Sequence, residues 1–164
     1  MSTYTVSPDE IVRRKTKGVL LILISVPFIF FLTYKDHLAL PIIYLAGISL
    51  ILMIAFLSKP TGYDITDAQV IINRRIGNVV ISRDAIISIE KVDEDLLENR
   101  ARGGAFGYNG KFNTAIGTTT WYATRRDKIV LITDNSGKKI IVTPDQREEF
   151  IKALTFSKTA ASLN

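Results

Sequence analysis

Two uncharged apolar runs near the start of the chain, with five residues between them, constrain the fold more than any other feature. Gly18 to Tyr34, GVLLILISVPFIFFLTY, holds no charged residue. A helix rising 1.5 Å per residue spans roughly 25 Å over that run, close to the hydrocarbon thickness of a bilayer once interfacial residues are added. Leu40 to Leu57, LPIIYLAGISLILMIAFL, is a second run of similar length, and Pro41 suits the first turn of a helix, where its missing N–H would be unpaired anyway. Residues 18–34 and 40–57 therefore read as two transmembrane helices joined by a short external loop at 35–39. Pro27 lies within the first span, where a kink is tolerated. A cleaved signal peptide would also begin with a basic segment such as Arg13, Arg14, Lys15 and Lys17. Such a leader should end in a small-residue cleavage site, however, and a second apolar run follows instead.

Basic residues orient the hairpin. Four precede the first span and Lys59 follows the second, whereas the connecting loop has one Lys offset by Asp36. This places residues 1–17, both termini and the following domain on the cytoplasmic side of the membrane. The same residues dilute the formal charge of +5: residues 1–59 hold six Lys and Arg against three Asp and Glu, and the remainder fifteen against thirteen. A mildly basic soluble part gives no footprint for nucleic acid. Without cysteine, thiol catalysis and disulfides are excluded.

From Gly62 onward short β-rich runs alternate with turn residues. GYDIT, QVIINRR, VVIS, IISIEKVD, TTTWYAT, KIVLITD and KKIIVT read as seven strands, the second and third joined through Gly77 and the last two through DNSG. TPDQREEFIKAL then signals a helix, with Thr143 as N-cap, Pro144 at the first helical position, Asp145 near the positive dipole end and Gln146 closing a capping box. The domain runs over 62–156, and the small polar residues at 157–164 read as a frayed tail.

Seven strands and a C-terminal helix follow the order of the pleckstrin-homology fold, a bent sandwich or partial barrel whose open corner the helix plugs. The stretches GYDITDAQVIINRRIGNVVISRDAIISIEKV, RGGAFGYNGKFNTAIGTTTWYATRRDKIVLITD and KKIIVTPDQREEFIKAL together resemble the bacterial PH-domain family of small membrane-associated proteins. The resemblance covers about Gly62 to Leu154. It implies a membrane α-helical hairpin plus a mainly-β PH-like domain, and a binding role more than any particular ligand.

The stretch from Arg100 to Arg126 is the unusual part, with five glycines, two phenylalanines, two tyrosines and the chain's only tryptophan. It lacks the Lys-Ser/Thr of a phosphate-binding P-loop and the G-x-G-x-x-G of a dinucleotide site. Two readings stay open. The residues form a long connection that folds its aromatics over a sheet edge, or Arg102, Phe106, Tyr108, Lys111, Phe112 and Trp121 form a partner-binding loop. A second set of candidates, Arg74, Arg75, Arg125, Arg126 and Lys128, is basic enough to touch anionic lipid. The expected first inter-strand loop, TDAQ, has no cation, which speaks against a specific phosphoinositide pocket.

Other chemistry is sparse. His37 is the only histidine, so a transition-metal site lacks ligands. DEDLLE, Asp93 to Glu98, lacks the glycine and spacing of a calcium loop, and no Ser, Lys or Asp stands in a catalytic motif. The sequence reads as a non-enzymatic, membrane-anchored binding module without cofactor, whose partner is a protein or a second copy. Strand addition at TTTWYAT or KIVLITD is one route to such an assembly; an anionic-lipid sensor and an accessory subunit of a transporter or envelope complex are the alternatives.

Overall fold

A computed structural model describes residues 1–33, 39–93 and 104–161, with side chains up to residue 155. His37, Arg102 and the carboxylates of DEDLLE beyond Asp93 lie outside the described residues. The chain opens with a strand, β1 (Ser2–Thr5), followed by two long helices, α1 (Glu10–Thr33) and α2 (Ala39–Ser58). Both helices are long and apolar enough to cross a membrane. Their side chains, such as Leu21, Ile24, Ile43 and Ile51, are exposed, as the surface of a lipid-facing hairpin must be. Phe30 and Tyr44 hold the two helices together, with ring centroids 5.8 Å apart.

The domain after the hairpin has β2 (Pro60–Ile65), β3 (Gln69–Arg74), β4 (Val79–Ser82), β5 (Ile86–Val92), β6 (Tyr108–Thr114), β7 (Gly117–Ala123), β8 (Ile129–Asp134), β9 (Lys139–Val142) and α3 (Arg147–Ala161). One sheet runs β1-β2-β3-β4 and the other β5-β8-β9-β7-β6. Every described pairing is antiparallel except β7 with β9.

β1 corrects the reading of residues 1–17 as a segment outside the domain. It pairs antiparallel with β2, Ser2 opposite Ile65 and Thr5 opposite Gly62. The two long apolar helices are therefore inserted into the connection between two hydrogen-bonded strands of one sheet, and both ends of the hairpin return to that sheet. Asp9 then caps α1: its Oδ1 accepts the Val12 N–H at 2.7 Å and its Oδ2 the Arg126 N–H at 3.2 Å. This joins the helix start to the β7–β8 connection, and an oriented carboxylate also complements the helix dipole.

Two apolar clusters fill the domain. Tyr4, Tyr63, Ile72, Ile132, Ile140, Phe150 and their neighbours form one, in which Phe150 meets the rings of Tyr4 and Tyr63 edge-on at 5.2 and 5.8 Å. The other gathers Tyr108, Trp121, Ala123, Ile129, Leu131 and Ile141 around Val12 from the base of α1. The five-stranded sheet is thus covered on both faces, which is why IVLI of β8 is buried without alternation.

Three further expectations are corrected. The connection between IISIEKVD and TTTWYAT is not all loop, because β6 occupies its second half and forms a hairpin with β7. Thr143 is not the N-cap of α3. Its N–H donates to the Tyr63 hydroxyl at 3.0 Å and its hydroxyl accepts the Thr124 N–H at 3.0 Å, deep in the core. The helix starts later, at Arg147, with the Gln146 carbonyl accepting the Phe150 N–H at 3.0 Å. α3 also continues to Ala161, beyond the boundary at 157 where fraying was expected.

Asp145 takes a different role. Its Oδ1 accepts from the Ser7 N–H and hydroxyl and from Arg125 Nη1 at 3.0 Å, and its Oδ2 from the Thr5 hydroxyl at 3.1 Å. Burial alone would raise the Asp145 carboxyl, but hydrogen bonds from Ser7, Thr5 and Arg125 outweigh it and hold the group below the usual carboxylate value. One carboxylate therefore ties the N-terminal segment, the β7–β8 connection and the start of α3.

Candidate functional site

The glycine-rich segment lands where the domain meets the membrane hairpin. Gly104, Phe106 and Gly107 all have positive φ, at 120°, 63° and 124°. For a bulky residue such as Phe106 this is a strained backbone. Contacts on both sides hold it: the Phe106 N–H donates to Thr16 Oγ1 of α1 at 2.9 Å, and its ring meets Phe56 of α2 edge-on at 5.7 Å. Gly107 has no room for a side chain, since a Cβ would sit 2.7 Å from the Ala123 carbonyl oxygen. The turn thus wedges between the base of α1 and the last turn of α2.

Cations collect at the same level. Lys59 Nζ lies 4.7 Å and the Arg75 guanidinium 4.8 Å from the centroid of the Phe56 ring, distances at which the ring quadrupole attracts a positive charge. The Ile76 N–H donates to the Leu57 carbonyl at 3.2 Å, fixing the β3–β4 turn to the end of α2. Beside this cluster runs a groove of 460 Å³ with Ile51, Ile54 and Ala55 on one wall, Phe106, Asn109 and Phe112 on the other, and Lys59 at its end.

The expected partner-binding residues separate on this geometry. Tyr108 and Trp121 are core residues, Trp121 being 1% exposed. Their rings pack 5.7 Å apart, and Trp121 Nε1 donates to Thr119 Oγ1 at 2.7 Å. Phe112 is half-buried against Trp121 at 5.7 Å. Lys111 is exposed on β6 and Phe106 lies on the wedge. Aromatic type alone could not separate these roles; the inward parity of Tyr108 and Phe112 along β6 does.

The expected lipid-contacting cations do not form one surface. Arg125 grips Asp127 with Nε and Nη2 at 2.5 and 2.6 Å and Asp145 with Nη1 at 3.0 Å, and the Arg125 hydrogen bond is the main reason the Asp127 carboxyl is held low. Arg126 is buried at 8% exposure with its guanidinium over the Tyr108 ring. Lys128 Nζ donates to the Asp145 carbonyl at 2.7 Å. These three serve the fold. Arg74 donates from Nε to the Gly77 carbonyl at 2.7 Å and lies over Tyr122. Arg75 is the member that reaches the membrane-proximal cluster.

A family model described as "Bacterial PH domain" matches residues 61–157, more than half of the chain. The chain belongs to this family. No curated protein and no solved structure matches it. As a bacterial PH domain carried on two candidate membrane helices, it is a membrane-associated member of a class of binding modules that are typically non-catalytic.

Phe56, Lys59, Thr16 and Asn109 were missed as site residues. An aromatic and a cation at the end of an apolar span mark a membrane interface, and that signal was available for Phe56 and Lys59. Thr16 meets Phe106, and Asn109 lines the groove with α2, only through the fold.

Proposed function

We propose that this bacterial PH domain protein is a non-enzymatic scaffold at the cytoplasmic face of a bacterial cytoplasmic membrane, assembling protein partners by strand addition at the outer edge of β6. The observation that carries this reading is the position of β6. It is the edge of the five-stranded sheet, and its outward side chains Asn109, Lys111 and Asn113 are exposed. β7 and β8, the strands first considered for such pairing, are interior to the sheet. An edge strand offers unpaired N–H and C=O groups to a second chain. Insertion of the hairpin between β1 and β2 holds that edge at one height above the bilayer, so that neighbouring copies present matching edges.

The preferred partner is a second copy, joined edge to edge about a two-fold axis. Because the chain has no cysteine, single-cysteine variants of the full protein test this in vesicles. Asn113→Cys should form disulfide-linked dimers as protein density rises, while Asn135→Cys in the β8–β9 turn should not. Equal cross-linking at both positions, or a monomer over a wide range of density, would overturn the reading.

A further inference from the structure

The groove between α2 and β6 has two chemically different halves. Ile51 and Ile54 belong to a helix whose most apolar window is only 6% buried, so whatever occupies that half shares the hydrocarbon layer with them. The other half lies at the polar end of the span, where Ser58, Lys59 and Asn109 line the wall. Lys59 and the neighbouring Arg75 both face the Phe56 ring, and among the described residues neither is bridged to a carboxylate. The Lys15 side chain passes close to Gly104 at the same level. One end of the groove is thus apolar and continuous with the bilayer; the other is cationic and rich in donors.

We propose that this groove is a binding site for one anionic phospholipid. An acyl chain lies along Ile51, Ile54 and Ala55, and the headgroup phosphate meets Lys59, the Asn109 amide and the Ser58 hydroxyl, with Arg75 adding charge. The strained Phe106 turn forms the wall opposite α2, and its contacts with Thr16 and Phe56 keep that wall in place without the lipid. The occupant follows from the two halves together. A soluble anion would leave the apolar wall uncovered, and a peptide strand set against Ile51 and Ile54 would bury its polar backbone; the proposed edge pairing uses β6 outside the groove, at Lys111 and Asn113, which do not line it.

The test uses the full chain, reconstituted in vesicles of phosphatidylcholine with a minor fraction of phosphatidylglycerol, then released into mild detergent, with copurifying phospholipid counted by mass spectrometry. The expected result is about one phosphatidylglycerol per chain, enriched over its fraction in the vesicle. Lys59→Gln should lower retention about fivefold, the factor that one basic residue contributes near an anionic surface. Ala55→Phe, which fills the apolar half while leaving the charges, should lower it comparably. Arg13→Gln, an exposed cation of α1 away from the groove, should leave it unchanged. Retention of both lipids in the vesicle ratio would overturn the proposal, as would unchanged retention in both groove variants. Displacement by excess inorganic phosphate would overturn it too, since a lipid held by its chain resists a soluble anion. Asn113→Cys cross-linking in vesicles of phosphatidylcholine alone reports on the β6 edge separately, so either idea can fail without the other.

Discussion

Replacing Tyr4 by alanine tests whether the N-terminal strand is structural. Tyr4 is 7% exposed, its ring meets Phe150 edge-on at 5.2 Å, and its hydroxyl donates to the Glu149 carbonyl at 3.4 Å. Truncating a buried aromatic to alanine costs about 3–5 kcal/mol. The lower value applies here, because β1 is an edge strand of four residues whose neighbours can partly close the gap. For a domain near 100 residues, 1 kcal/mol moves the melting midpoint by about 4–8 °C, so Tyr4→Ala should lower it by at least about 10 °C. Tyr4→Phe keeps the ring and loses only one long hydrogen bond, which is worth at most about 1 kcal/mol. Trp121 is the only tryptophan and is packed between Tyr108 and Phe112. Its emission during heating of the full chain in detergent therefore follows the domain and not the membrane helices. A Tyr4→Ala midpoint within two or three degrees (about 0.5 kcal/mol) of the unmodified protein would refute the assignment of β1 to the domain.

The Asp145 node gives a pH dependence. Folding lowers this carboxyl, so its stabilising contribution is complete above the unfolded value of about 3.9 and is lost as pH falls through the lower folded value. Asp145→Asn should melt below the unmodified chain at neutral pH, and acid titration of the midpoint should narrow the difference; a constant gap down to strongly acidic pH would contradict this. Asp127 also titrates low through Arg125, so Asp127→Asn serves as the parallel measurement. Gly107→Ala and Gly110→Ala separate crowding from backbone strain. Both glycines have φ near 124°, but only at Gly107 does a Cβ collide, 2.7 Å from the Ala123 carbonyl oxygen. Gly110→Ala should cost about 1–3 kcal/mol from φ alone and Gly107→Ala clearly more, as read from melting midpoints.

The fold was legible wherever one segment carried its own signal. Charge-free runs gave both membrane helices, and alternating β-branched residues gave β2 to β5 and β7 to β9. β1 was illegible because STYT is four residues long and its partner, GYDI, comes after the whole hairpin; no local pattern announces a pairing at such separation. β6 was hidden by composition, since YNGKFNT contains a glycine and two asparagines, residues depleted from strands. Its period of two is nonetheless present, with Tyr108 and Phe112 inward and Asn109, Lys111 and Asn113 outward. The capping box at Thr143 failed for another reason. Thr143 and Asp145 had tertiary partners, Tyr63 with Thr124 and Ser7 with Arg125, which outcompeted a local cap worth about 1 kcal/mol.

The candidate site was legible in its ingredients and not in its assembly. Glycines, aromatics and arginines between Arg100 and Arg126 marked the segment, but burial divided them: Trp121, Tyr108 and Arg126 went to the core, while Phe106 went to the hairpin. What joins Phe106 to Phe56, Lys59 and Arg75 is the insertion of the helices between β1 and β2. An anchor attached at one end through a flexible linker would let the domain tumble above the bilayer. Here α2 ends at Ser58 and β2 begins at Pro60, while α1 is fixed to the domain by Asp9 and Val12. Both helices leave from one rigid sheet, so the membrane-facing side of the domain is set by the covalent path itself. That is the physical basis for a groove shared by α2 and β6, and for the proposed pairing of β6 edges at a common height.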